Sequence, residues 1–201
     1  MFPKEHKRTG PGLAALGVGL LLLVVVLALG GGRAAASPSA TIVRCDPATV
    51  VGPIGGAVNV DIYVENVVEL YAADVRLSFD TTALQVVDAD PDPNVTGVQI
   101  QPLDTFLSPD YVVRRMADND EGTIWYAATQ MNPAEAVSGS GPLARITFRA
   151  LRPGAFTLPI TYYKLVRRNS LEIPATAQGC AVTFVEIDSG GVTFVPFTAK
   201  N

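Results

Sequence analysis

From residue 41 onward the chain is a succession of short runs in which apolar and polar side chains alternate. Residues 57–66 give the cleanest case, with Val58, Val60, Ile62 and Val64 on one side and Asn59, Asp61, Tyr63 and Glu65 on the other. A period of two predicts a strand with one face in the core and one in water. Residues 70–84 repeat it: Val75, Leu77 and Phe79 alternate with Asp74, Arg76 and Ser78, and the polar corner Asp80-Thr81-Thr82 ends the run. A strand of this kind needs a second apolar layer over it, and the other runs supply one. Strands are expected at 41–45, 85–88, around 98–101, at 143–150 and 180–185, and over 155–166 with Phe156, Leu158, Ile160 and Tyr162 on one face. Residues 111–116 and 123–130 read as a hairpin joined by 117–122. Gly52-Pro53 and Gly55-Gly56 mark a turn, residues 67–69 a link, and Pro153-Gly154 another turn. Residues 132–141 hold the one expected helical turn and a Ser-Gly-Ser-Gly run, while 191–197 either adds a last strand or dangles. Turn signals recur about every 8–12 residues, which predicts an all-β fold: a two-sheet jelly-roll or immunoglobulin-like sandwich of about nine strands.

Residues 1–36 break the pattern. Lys4, Lys7 and Arg8 precede an uncharged run over 13–29, Gly30-Gly31-Gly32 ends it, and Ala34-Ala35-Ala36 supplies small side chains. That order is the order of a secretory signal peptide. The rival reading is an uncleaved membrane anchor over 13–29, at the short edge of spanning length. Either way the remainder leaves the cytoplasm, secreted or tethered to the cell surface. Residues 37–40 form a spacer, 41–186 the sandwich, and 187–201 a C-terminal extension.

Without residues 1–36 the chain keeps 11 basic and 18 acidic side chains, a net of −7. An acidic domain is poorly suited to nucleic acid. Cys45 and Cys180 lie at opposite ends of the exported part. In an oxidising compartment an even pair is most simply one disulfide, which would make the first and last core strands neighbours. Two buried free thiols are the alternative.

The single histidine, His6, lies in the N-terminal segment. That removes His-dependent nucleophile systems and the usual zinc sets from the exported part. No phosphate-binding or dinucleotide fingerprint is present, so neither catalysis nor a cofactor is expected. Asp88, Asp90 and Asp92, and Asp118, Asp120 and Glu121, are hard-oxygen clusters of the kind calcium uses, yet the first lacks the glycine and distal glutamate of a calcium loop and prolines separate its acids. They read as turn residues, and no metal is expected. Asn94-Val95-Thr96 is a glycosylation sequon. Trp125, the sole tryptophan, faces out as a contact platform if Ile124 and Tyr126 face the core. With the register reversed it is core. Arg114-Arg115 and Lys164, Arg167 and Arg168 read as solvated edges that discourage strand addition.

The segment from Asn66 to Val87, NVVELYAADVRLSFDTTALQVV, resembles the cohesin family, the bacterial domains that capture dockerin modules on extracellular proteins. Three further stretches share the likeness: VGPIGGAVNVDIYVENV, GTIWYAATQ, and GSGPLARITFRAL followed by PGAFTLPI. The resemblance implies a nine-stranded jelly roll with neighbouring terminal strands and kinship of fold with carbohydrate-binding modules. It also implies a non-catalytic module that captures a dockerin-type partner on a flat sheet face. An Asp commonly stands where Asp74 stands and bonds the partner's hydroxyl residues. Carried over, this marks Asp74 with Ala72, Arg76 and Ser78, then Trp125, Ala127 and Thr129 on the neighbouring strand, and Asn132 beyond it. A polysaccharide bound on Trp125, in place of a protein, is the competing expectation. A structural envelope or adhesion domain is the third.

Overall fold

The computed structural model describes residues 39–187. The signal segment or anchor, the start of the spacer, all but the first residue of the C-terminal extension and the strand expected at 191–197 lie outside them.

The described residues hold fourteen strand segments and no helix: β1 (Thr41–Asp46), β2 (Thr49–Pro53), β3 (Ala57–Leu70), β4 (Ala72–Ser78), β5 (Leu84–Val86), β6 (Val98–Gln99), β7 (Gln101–Pro102), β8 (Tyr111–Asp118), β9 (Thr123–Thr129), β10 (Val137–Ala150), β11 (Gly154–Leu158), β12 (Ile160–Val166), β13 (Ala175–Gln178) and β14 (Cys180–Val185). They form three hydrogen-bonded ladders. One runs β13-β1-β3-β10-β5 with β7 also on β10, one β11-β14-β2, and one β12-β4-β9-β8-β6. The alternation read from sequence is what builds the core between them. Val58, Val60, Ile62 and Val64 of β3, Ile146 and Phe148 of β10, Val75 and Leu77 of β4, and Ile124 and Tyr126 of β9 are all buried, joined by Val182 and Phe184 of β14. The Phe79 and Phe148 rings meet edge to face, 5.8 Å apart. The expected β-sandwich is the observed fold.

Of the two readings of the cysteines, the disulfide holds. Cys45 on β1 is bonded to Cys180 at the head of β14, with their Cα atoms 5.6 Å apart. The first and last strands of the core are therefore neighbours.

Several expectations need correction. Gly52-Pro53, expected as a turn, is the end of a strand, β2, which pairs in parallel with β14, and the turn follows at residues 54–56. Residues 67–69 are not a link, because β3 runs on to Leu70. It does so through two left-handed residues, Asn66 (φ 53°) and Glu69 (φ 60°). Their N–H groups donate to Ser140 Oγ and Ser138 Oγ, each at 2.9 Å. Those serines explain the second correction: the Ser-Gly-Ser-Gly run is the bulged start of β10, with register shifts around Gly139 and Gly141, and residues 132–141 hold no helical turn. Third, 155–166 is two strands in different ladders, split at Pro159, which cannot donate to a ladder. Phe156 and Leu158 stay in the core, but a register shift between Ile160 and Tyr162 turns Tyr162 to the outside.

Gly122 ends the β8–β9 turn at φ +69° and lies against the Phe79 carbonyl, where a Cβ would collide. Its own carbonyl accepts the Phe79 N–H at 2.9 Å. Only glycine fits both demands, and the contact ties the hairpin to the end of β4.

Candidate functional site

The antiparallel register of β4 and β9 sets Ala72 opposite Thr129, Asp74 opposite Ala127, Arg76 opposite Trp125 and Ser78 opposite Thr123. Val75, Leu77, Ile124 and Tyr126 point into the core, so the alternate positions lie on the outer face. Ala72, Asp74, Arg76, Ser78, Trp125, Ala127 and Thr129 thus share one surface. Asn132 stands past the end of β9, where Arg168 donates to its Oδ1 from Nε at 3.1 Å and also from Nη2.

The neighbouring strands extend these rows. β12 places Tyr162 opposite Arg76, Lys164 opposite Asp74 and Val166 opposite Ala72. β8 places Met116 opposite Trp125, Arg114 opposite Ala127 and Tyr111 opposite Thr129, with a bulge at Val113. Sequence reasoning missed Tyr162, Met116, Arg114 and Lys164 as members of this surface. The signals that could have found them were Pro159, which demotes a long strand, and the even spacing of Arg114 and Met116.

At the centre the Arg76 guanidinium lies 4.1 Å from the Trp125 ring centroid and 4.8 Å from that of Tyr162, and the Arg114 guanidinium is 5.4 Å from Trp125. A guanidinium over an indole face is held by the ring quadrupole. Trp125 does face outward, as one of its two readings had it. It is half-buried under these arginines, however, and not an open platform. Arg76 Nη2 is 3.5 Å from Asp74 Oδ2. Asp74 Oδ1, Arg76 Nε and Trp125 Nε1 are covered and have no hydrogen-bond partner in the protein.

The small side chains of Ala72 and Ala127 leave a shallow depression of about 260 Å³ between Lys164, Trp125 and Val113. A second, of about 490 Å³, adjoins it over Trp125, Arg114 and the hairpin turn. Of the carboxylates near that turn, that of Asp118 is committed to the backbone. Asp118 Oδ1 accepts the Asp120 and Glu121 N–H groups at 2.9 and 2.8 Å. In the other acidic loop Asp88 Oδ1 accepts from the N–H of Asp90 and Gln99, and Asp90 is paired with Arg115 at 2.7 Å. The Asn94 N–H and side-chain amide hold the Asp92 carboxyl below its ordinary pKa. Among the described residues no three histidine, cysteine or acidic side chains gather as a metal site. Arg115, Arg167 and Arg168, read from sequence as solvated edges, each reach an acid: Asp90, Glu69 and Glu135.

Comparison with known proteins bears on this geometry. The family model described as Cohesin domain matches residues 44–167. No curated protein sequence matches the chain. Solved structures with a similar fold include a chain of a type I cohesin–dockerin complex from Clostridium thermocellum, at 12% identity and TM-score 0.59 over 73% of this chain and 99% of that one. A type II cohesin domain from the Acetivibrio cellulolyticus cellulosome matches at 15% identity and TM-score 0.57, over 73% of this chain and 95% of that one. A non-cellulosomal cohesin from the archaeon Archaeoglobus fulgidus matches at 16% identity and TM-score 0.55, over 74% and 93%. At such identities the structural likeness carries the fold alone.

Proposed function

The chain belongs to the cohesin domain family, and we propose on that premise that it is a non-catalytic module that captures a dockerin-type protein on the outer face of β12, β4, β9 and β8. The observation that carries this reading is the state of Asp74. Its Oδ1 is covered yet accepts no hydrogen bond, and it borders a depression floored by Ala72 and Ala127. A buried acceptor left unpaired costs free energy unless something completes it. A docking partner that donates to Asp74 and seats on the two alanines does so.

The export signal in residues 1–36 gives the module its place: outside the cell, released or tethered, in an assembly at the surface or on polysaccharide. The competing reading, a sugar stacked on Trp125, has less support, because Arg76 already occupies that ring at 4.1 Å and a sugar would have to displace it.

The test is capture from a panel of dockerin modules by residues 37–201, beside the Asp74→Ala variant and a set of insoluble polysaccharides. A dockerin retained by the wild type and lost with Asp74→Ala supports the reading. Retention on a polysaccharide, indifferent to Asp74→Ala, replaces it with sugar binding.

A further inference from the structure

We propose that this docking face selects a partner surface that is acidic, through Lys164 and Arg114. The proposal rests on the docking reading above and adds the chemistry of what docks.

Residues 39–187 carry ten basic side chains and seventeen acidic ones. Seven of the ten, Arg44, Arg76, Arg115, Arg145, Arg152, Arg167 and Arg168, are within ion-pair distance of a carboxylate. Among the described residues Arg114, Arg149 and Lys164 are the exceptions. In a domain with acids to spare, two of these three fall on one register row, Lys164–Asp74–Ala127–Arg114. They stand at the two ends of that row, about 14 Å apart across three strand spacings, Lys164 at the alanine-floored depression and Arg114 at the one that adjoins it over Trp125. Arg76 lies between them on the next row. The single carboxylate there, Asp74, is shared with Arg76 at 3.5 Å, so the centre of the face carries three cations against one anion.

A basic partner would meet Arg114, Lys164 and Arg76 with its own charge as the surface is desolvated, a juxtaposition that costs binding strongly. An acidic one completes the two cations that the fold leaves unanswered. Their spacing is close to two helical turns, about 11 Å, and the long Lys and Arg side chains span the remainder. A partner helix with acids seven residues apart would therefore reach both. The net negative charge of the domain acts over a distance that salt screens beyond about 8–10 Å, so recognition is decided by these local cations.

Trp125 is the only tryptophan in the chain and sits at the centre of the face, so its fluorescence reports on this surface alone. Residues 37–201 are titrated with a helical peptide bearing glutamates at positions i and i+7. The same peptide with lysines there and polygalacturonate run in parallel, at low and high salt. The expected result is a saturable change in Trp125 emission with the glutamate peptide, weakened by salt. Arg114→Glu with Lys164→Glu should weaken it about tenfold or more and transfer binding to the lysine peptide. Both positions are exposed, and thermal melting checks that the fold survives. Equal or better binding of the lysine peptide, indifference to the charge reversal, or preference for polygalacturonate overturns the proposal. The two readings separate cleanly. A dockerin lost with Asp74→Ala but indifferent to charge reversal keeps the docking face and sinks the acidic partner. A glutamate peptide that follows the charge reversal, with no dockerin captured, keeps an acidic partner on this face and sinks the dockerin.

Discussion

The outer face of β1, β3 and β10 and the outer face of β12, β4, β9 and β8 are both half-wet sheet surfaces, built from the same alternation, and they are finished differently. On the first, Asp61 accepts both Nε and Nη2 of Arg145, at 2.8 and 3.0 Å. Arg44 gives its Nε to Glu65 at 2.6 Å and its Nη1 to Asp46 at 2.7 Å, and lies 4.4 Å from the Tyr63 ring centroid. Thr147 Oγ1 donates to Asn59 Oδ1 at 2.8 Å. The bond to Asp46, and after it that to Glu65, hold Arg44 still more firmly protonated, and the bond to Asp61 does the same for Arg145. On the second face the central carboxylate has one oxygen unpaired, the indole N–H has no acceptor, and Lys164 and Arg114 meet no acid. A surface whose central polar groups are answered from within gains little from a partner. One that leaves them covered and unanswered is costly alone and is completed by binding.

The largest expected effect tests what the two faces share. The Cys45–Cys180 bridge closes a separation of 135 residues, worth about 5 kcal/mol on the chain-entropy account. Replacing both cysteines by alanine should lower the urea unfolding free energy by about that amount while leaving capture intact under native conditions. Lost capture in a still-folded variant would mean that the docking face depends on the bridge and is not an independent surface. Next in size is Asp74→Ala. Truncation of a central interface residue costs about 2–3 kcal/mol, so dockerin affinity should fall about a hundredfold with melting almost unchanged. Asp61→Ala on the other face should do the opposite: capture unchanged, and stability lower by about 1 kcal/mol because Arg145 loses its partner. Comparable losses of capture in both variants would erase the contrast.

Much of this was legible before any coordinates, for a local reason. The period of two over residues 57–66 and 70–79 fixes which side chains face the core and puts Asp74, Arg76 and Ser78 on the outer side, whereas it left Trp125 open between two registers, and the family resemblance set Trp125, Ala127 and Thr129 beside them with Ala72. Three things were not legible. Tyr162 was assigned to the core, because the slip after Pro159 is set by pairing with β4 and not by the residues of 155–166. The continuation of β3 through Asn66 and Glu69 depends on hydroxyls of Ser138 and Ser140, some seventy residues away. Which charges are paired depends on cross-strand register, so Arg115 and Arg114, adjacent in sequence, end with opposite fates, one on Asp90 and one unanswered over Trp125.

The meaning given to unpaired polar atoms can itself be sharpened on the inner side of β9. Tyr126 Oη also has no partner, but it points into the core, and burial raises the phenol to about 12. In the unfolded chain the group titrates near 10. The folded state thus favours the protonated phenol, and its contribution is complete below pH 10. As pH rises from about 10 to about 12 the unfolded chain releases the proton first and stability falls, by up to about 2–3 kcal/mol. Tyr126→Phe should abolish that alkaline loss, leave neutral-pH stability equal or slightly higher, and leave capture unchanged. Weakened capture in Tyr126→Phe would show that the contrast between covered atoms used for docking and covered atoms merely tolerated by the core is false.

The smallest effect probes the contrast most directly, as a difference between two coupling energies. A double-mutant cycle on Asp61 and Arg145 removes a two-pronged pair in which the carboxylate is largely covered, and it should return about 0.5–1 kcal/mol in the free protein. The same cycle on Asp74 and Arg76 removes a single 3.5 Å contact from a guanidinium that is also held by Trp125 and Tyr162, and it should return close to zero. With partner bound the order should change. Asp74 and Arg76 then share an interface from which water is excluded, where a charge pair of the same geometry interacts more strongly, and their coupling should rise while that of Asp61 and Arg145 stays where it was. Equal couplings in the free protein would mean the two faces are finished alike. Coupling that fails to rise on binding would move the partner off Asp74.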